Sequence, residues 1–193
     1  MKKVVLVIVG ILVLLVAVSG CGYNGLVKLD EDVKTKWAQV ETQYQRRSDL
    51  IPNLVSTVKG AAKFEQSTLT QVIEARSKAS QITVDPDKLT EENMQKYQAA
   101  QGQLSQALGR LMVLTENYPE LKATQQFSEL SAQLEGTENR ITVARKDFNE
   151  SVQTYNTKVR SFPNNITAGI FGFSQKAAFK ADAGAQNAPK VEF

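Results

Sequence analysis

The chain of 193 residues contains no histidine and one cysteine. Without histidine it lacks the side chain that most often moves protons near neutral pH and most often ligates metals. Ser-His-Asp and Cys-His catalytic arrangements are thereby excluded, as are di-metal bundles built on Glu-x-x-His. A single cysteine rules out an intrachain disulfide and a thiolate zinc site. No glycine-rich phosphate loop is present: "AGIFGF" at 168–173 has two glycines but no strand-to-helix context. No acidic pair stands at a recognisable glycosidase or metal-ligand spacing. The formal net charge is +3 without a clustered basic face, so nucleic acid is not expected as a partner. No catalytic residue and no cofactor are assigned, and the chain is read as a non-enzyme.

What is present begins with a leader. Lys2 and Lys3 precede an apolar run, Val4 to Val18, followed by Ser19, Gly20 and Cys21. Its length is at the upper end for a secretory signal and short of the roughly 20 residues of a spanning helix. "VSGC" resembles the lipobox of bacterial lipoproteins, where cleavage precedes a cysteine that carries diacylglycerol. A lipid on Cys21 and an uncleaved N-terminal membrane helix are both open, and both tether the protein. The two lysines favour a cytoplasmic N-terminus, which makes the body extracytoplasmic. In a Gram-negative host that is the periplasmic face or, with Gly22 rather than aspartate after Cys21, the outer membrane.

Three stripes of apolar residues at alternating three- and four-residue spacing follow, the signature of coiled-coil-like helices. The first comprises Val33, Trp37, Val40, Tyr44, Ile51, Leu54, Val58 and Ala61, with one polar step at Arg47. Asp30 is the expected N-cap. Beyond Gly60 the phase rotates, to Leu69, Val72, Ile73 and Arg76. Turn chemistry at Asp85-Pro86-Asp87 and a cap at Thr90 lead to the second stripe, Met94 to Tyr118. The third runs from Phe127 to Phe162 and stops at Pro163. The expected fold is all-α: an elongated antiparallel up-and-down bundle of three long helices, or four if the first splits near Gly60. Residues 1–20 form the leader, 21–29 a linker from the lipid anchor, and 30–163 the bundle. Residues 164–180, with Ile170, Phe171, Phe173 and Phe179, form a tail expected to fold back onto it. Residues 181–193 are expected to be disordered.

The stripe passes through "RRSDLIPNLVSTVKG" without losing phase, since Tyr44, Ile51 and Val58 are seven apart. Pro52 lies off the seam, removes one backbone hydrogen bond and crowds the Ser48 carbonyl. A kink within a continuous helix is the expected outcome. Arg46, Arg47, Asp49, Pro52, Asn53 and Lys59 form a polar cluster around it. They present a docking face for a partner, or they are structural, with Arg47 pairing an acid of the third helix such as Glu138 or Asp147. Glu74 and Arg76, with Glu138, Arg140 and Arg145, are candidates for interhelical ion pairs. Tyr23-Asn24, Phe148-Asn149 and Tyr155-Asn156 repeat an aromatic-asparagine pair suited to tying helix ends.

These residues also carry a resemblance. "YNGLV" at Tyr23, "RRSDLIPNLVSTVKG" at Arg46, "EAR" at Glu74, "ENYPELKA" at Glu116, "TENRI" at Thr137 with the following "VAR", "FN" and "YN", and "FP" at Phe162 are similar to the LemA family over nearly all of the chain after the leader. The resemblance implies a membrane-attached helical bundle without an assigned molecular function. It also implies envelope proteins as assembly partners. The expected function is a non-catalytic envelope scaffold or partner-docking protein. The rival is a module holding a lipid or peptide between its helices, with the apolar tail as a lid.

Overall fold

The computed structural model describes residues 2–60 and 65–181, with the backbone alone over 3–21. The expectations for the Val4–Val18 and Cys21 side chains, for Ala61 and for residues 182–193 lie outside the described residues. Among those described, the stripes become helices α1 (Lys2–Lys59), α2 (Gln66–Gln81), α3 (Glu91–Thr115), α4 (Pro119–Lys122), α5 (Gln125–Arg160) and α6 (Asn164–Phe171), with no strand. Thr90 and Thr124 cap α3 and α5 by accepting from the amides of Asn93 and Phe127 at 3.3 and 3.4 Å.

Lys36 reaches Asp147 and Arg47 reaches Glu138, so numbering rises along α1 as it falls along α5. Trp37 meets Tyr97 and Arg47 meets Gln101, which sets α3 parallel to α1. Between them α2 returns, with Arg76 and Ser80 facing Ser48. The architecture is an all-α antiparallel bundle. Its first stripe divides beside Gly60, so the long helices number four.

Four expectations need correction. Residues 22–29 are not a linker, and Asp30 does not cap: α1 is already helical there. The reason is that Leu26 and Leu29 carry the apolar seam further back, Leu26 fully buried in one cluster with Ala168 and Val159. Asp30 instead holds two lysines, Lys34 at 3.1 Å and Lys176 at 2.8 Å. On α2 the buried residues are Leu69, Val72, Ala75 and Ala79, while Ile73 faces solvent. Two alanines keep the inner face slim, and their weak hydrophobicity hid the true stripe. The third stripe ends early: α5 stops at Arg160, and Phe162 beyond it is exposed.

The long helix α1 outruns its partner α2, and the interior divides accordingly. A distal core gathers Ile51, Leu54 and Val58 with α2 and the facing parts of α3 and α5. A proximal core gathers Val33, Trp37, Val40 and Tyr44 with Tyr97, Phe148, Val152 and Tyr155. There, beyond the end of α2, the segment 82–89 covers the seam with Val84 and Leu89, and the extended segment after α6 fills the space between α3 and α5. Gly172, at φ 78°, supplies the left-handed residue that ends α6 and starts this segment. Phe179 then enters the core, 7% exposed, against Trp37 and Phe148 with ring centroids 6.0 and 5.5 Å away.

Three side-chain amides pin the segment's main chain. Asn156 accepts from the Lys176 amide at 2.9 Å and donates to its carbonyl at 2.8 Å. Asn149 does the same for Phe179, at 2.9 and 3.1 Å. Gln98 does so for Lys180, at 3.3 and 2.8 Å. The asparagines of the aromatic-asparagine pairs on α5 therefore bind a strap and do not tie helix ends. Ile170 and Phe171 do not fold inward with Phe179; both are exposed.

Removing the aromatic plug tests this arrangement. Phe179→Ala should cost about 3 kcal/mol, the lower end for a buried aromatic. It should also shift Trp37 emission to the red. Urea titration followed by Trp37 fluorescence checks both.

Candidate functional site

The polar cluster around Pro52 separates into two parts. Arg46, Asp49, Pro52, Asn53 and Lys59 are exposed, while Arg47 is buried. At 100° per residue the exposed five occupy the arc of α1 opposite Ile51, Leu54 and Val58. They form one solvent-facing stripe, stiffened by a Gln45–Asp49 side-chain bond of 2.7 Å.

Arg47 points the other way, between the two cores, and is 1% exposed. One terminal nitrogen donates to Glu138 at 2.9 Å and Ser105 at 2.8 Å. The other donates to the Gln101 side chain at 2.7 Å. Its carbon lies 5.0 Å from the centre of the Tyr44 ring. Its Nε finds no hydrogen-bond partner among the described residues. The pairing with Glu138 agrees with the structural reading of the sequence; Asp147 instead meets Lys36, at 3.6 Å. Glu138 remains half-exposed, so the desolvation cost falls mainly on the arginine.

Pro52 sits inside α1, which continues to Lys59. With no N–H at position 52, the Ser48 carbonyl four residues earlier loses its helical donor. Arg76 of α2 supplies one, its Nε donating to that oxygen at 2.9 Å. The proline thus exposes an acceptor that fastens α2 to α1. Arg76 serves this carbonyl rather than the ion pair expected of it. Arg145, expected in the same set, stacks on Phe179 at 4.6 Å.

Electrostatics elsewhere are structural in character. Lys34 is held above its ordinary pKa by hydrogen bonds to Asp87, Asp30 and Glu31, and Asp87 is correspondingly lowered. Burial pushes Tyr155 up to about 12 and raises Tyr97 as well. Desolvation raises Glu41. Among the described residues, no group of three or more Asp, Glu or Cys side chains is placed to hold a metal ion. No helix among them is long and apolar enough to cross a membrane.

Two clefts are sizeable. One of about 790 Å³ lies at the distal end, between Ser56, Thr57 and Gly60 and the Asn117–Leu121 turn. The other, of about 570 Å³, runs between α3 and α5 over Tyr44 and Arg47, bordered by Gln98, Gln106 and Lys180. Sequence reasoning missed the Gln98 clamp and the Arg76 bond. The proline was the only signal for the latter.

A family model described as the LemA family matches residues 36–193. Magnetosome proteins MamQ 1 and MamQ 2 of Paramagnetospirillum magneticum are each 28% identical over 175 residues, covering 82% of this chain and 64% of theirs. The chain therefore spans under two thirds of their length. Protein LemA of Metamycoplasma hominis is 24% identical over 158 residues, covering 82% of this chain and 68% of its own.

Two mutational tests follow from this geometry. Arg76→Ala should cost about 2 kcal/mol, the range of a charge-assisted bond. In a Pro52→Ala background, where residue 52 donates to Ser48 again, the same change should cost about 1 kcal/mol less. A thermal or urea double-mutant cycle measures that coupling. Separately, Arg47→Ala should cost about 3 kcal/mol, since it strands Gln101 and opens a void. Glu138→Gln, which keeps an acceptor at a half-exposed site, should cost about 1 kcal/mol or less. Equal losses in urea titration would contradict the assignment of the burden to the arginine.

Proposed function

Since the chain belongs to the LemA family, we propose that it is a membrane-tethered, non-catalytic scaffold of the cell envelope. In this reading it docks a protein partner on the exposed stripe of α1. The observation that carries the reading is the division of the Pro52 cluster. Arg47 is consumed by the core, while Arg46, Asp49, Pro52, Asn53 and Lys59 are left on a rigid helix facing solvent. Side chains held on a continuous helix are preorganised, which lowers the entropy cost of association. The absence of histidine from the sequence argues in the same direction.

The tether is a lipid on Cys21, with an N-terminal membrane helix as the alternative form. It holds the bundle on the extracytoplasmic side. The relatives' names, magnetosome protein MamQ and protein LemA, specify no reaction. A role in an envelope assembly is consistent with them. The second reading, a ligand held between helices, draws on the α3–α5 groove of about 570 Å³. Five glutamines, Ser105 and four charged side chains line that groove, with few apolar seam residues, which suits a peptide main chain better than a lipid.

The wild-type protein should take up labelled palmitate in growing cells, and Cys21→Ala should abolish that label and leave a precursor larger by the leader. A wild-type protein that takes up no label rejects the lipid and leaves the membrane helix. Crosslinking in intact cells tests the docking face. Paired Asp49→Lys and Asn53→Lys changes should abolish the crosslinked species without lowering thermal stability. A crosslink that persists would sink the docking assignment.

A further inference from the structure

Eight large apolar side chains are exposed among the described residues, and five of them lie at one end of the bundle: Tyr23, Phe162, Ile166, Ile170 and Phe171. The other three, Ile73, Val113 and Val143, are single residues on different helices and need no explanation. The five are brought together by α6. After α5 ends at Arg160, the chain turns and α6 lies across α1 at Gly22, Tyr23 and Leu26. Thr167 and Ala168 face inward, and a Cβ at Gly22 would meet Asn164 and Thr167 at 3.2 Å each. Phe171 packs on Tyr23 with ring centroids 4.8 Å apart. Ile166 and Ile170, one turn apart, are then left on the outer side of the helix, with Phe162 just before it. Four of these residues are between 54% and 80% exposed.

This end of the bundle is where the leader joins. Gly22 is the fourth residue after Val18, the last of the apolar run. Along a helix this is about 6 Å. Cys21 is the immediate neighbour of Gly22. Whichever form the tether takes, the bilayer surface meets the chain at the level of α6. Charge agrees with this. The sequence has no acidic residue before Asp30 and none between Glu150 and Asp182. Lys28, Lys158 and Arg160 are exposed in those same stretches. An apolar face bordered by cations and free of carboxylates matches the interfacial zone of an anionic membrane.

We infer that the outer face of α6, with Phe162 and Tyr23, seats the bundle on the anionic bilayer to which it is tethered, with Ile166 and Ile170 among the acyl chains. The seat fixes the bundle's orientation, where a tether alone leaves it free to swing. This rests on the membrane tether of the proposed function, and the test separates the two.

The full chain carrying Ile170→Trp is reconstituted in vesicles of phosphatidylcholine and phosphatidylglycerol, with and without phosphatidylcholine brominated near the top of its acyl chains. The native Trp37 is buried about 20 Å further along α1 and serves as the reference. The seat predicts that the emission added by the introduced indole falls at least twofold in brominated vesicles while wild-type emission is unchanged. Adding Lys158→Glu and Arg160→Glu should weaken that quenching. A chain that floats with the vesicles but shows no quenching overturns the seat and leaves the tether standing. Blue-shifted yet unquenched emission means that protein, such as a second copy, covers the face, and also overturns it. A chain that does not float with the vesicles removes the tether and the seat together.

Discussion

A guanidinium in the middle of an apolar seam needs partners, and those of Arg47's two terminal nitrogens come from two other helices. Glu138 must come from α5, and Gln101 and Ser105 from α3. A slip of one heptad in either neighbour would leave a buried charge without its partners, at a cost of several kcal/mol. The polar layer therefore acts as a register pin, as single polar residues do in coiled-coil seams. It also marks the border of the two cores. Distal to it the seam is covered by α2, and proximal to it by the segment that follows α2 together with the strap after α6.

Periodicity made the helical frame readable. Val33, Trp37, Val40, Tyr44, Ile51, Leu54 and Val58 are all buried, as are Phe127 through Val159 of the third stripe at the positions that their spacing selects. A buried seam leaves its mark every three or four residues, and local sequence is enough to see it. The polar step at Arg47 was legible for the same reason: an ion in that phase needs a partner. The stripe of α2 was legible at Leu69 and Val72 and lost beyond them, because the rest of its inner face is built on Ala75 and Ala79. The clamps made by Asn149, Asn156 and Gln98 were not legible. Their partners are main-chain groups 20 to 82 residues away, which no periodic pattern encodes. Of the candidate site, the residues were readable. Their division between core and surface became clear only with the helix phases in hand.

Pro52 joins these levels. Its lost hydrogen bond is a local defect, yet the freed carbonyl becomes the point where Arg76 ties α2 to α1. The missing donor is replaced from another helix, so the backbone accounting still closes. The solvent side of the same turn carries Asp49 and Asn53, so the proline shapes the outer stripe while its consequence is absorbed inside.

The strap that completes the proximal core also sets an order of events during biosynthesis. A ribosome delivers Trp37 first, Phe148 more than a hundred residues later, and Phe179 after both. Until that last aromatic arrives, the hydrophobic trough between α3 and α5 lies open. Closure there is governed by the longest sequence separations in the molecule, and such contacts form slowly. The distal half, whose share of the four rods is complete by Leu134, has no such wait. One end of the molecule is thus free to consolidate while the other stays dependent on shielding until translation is far advanced.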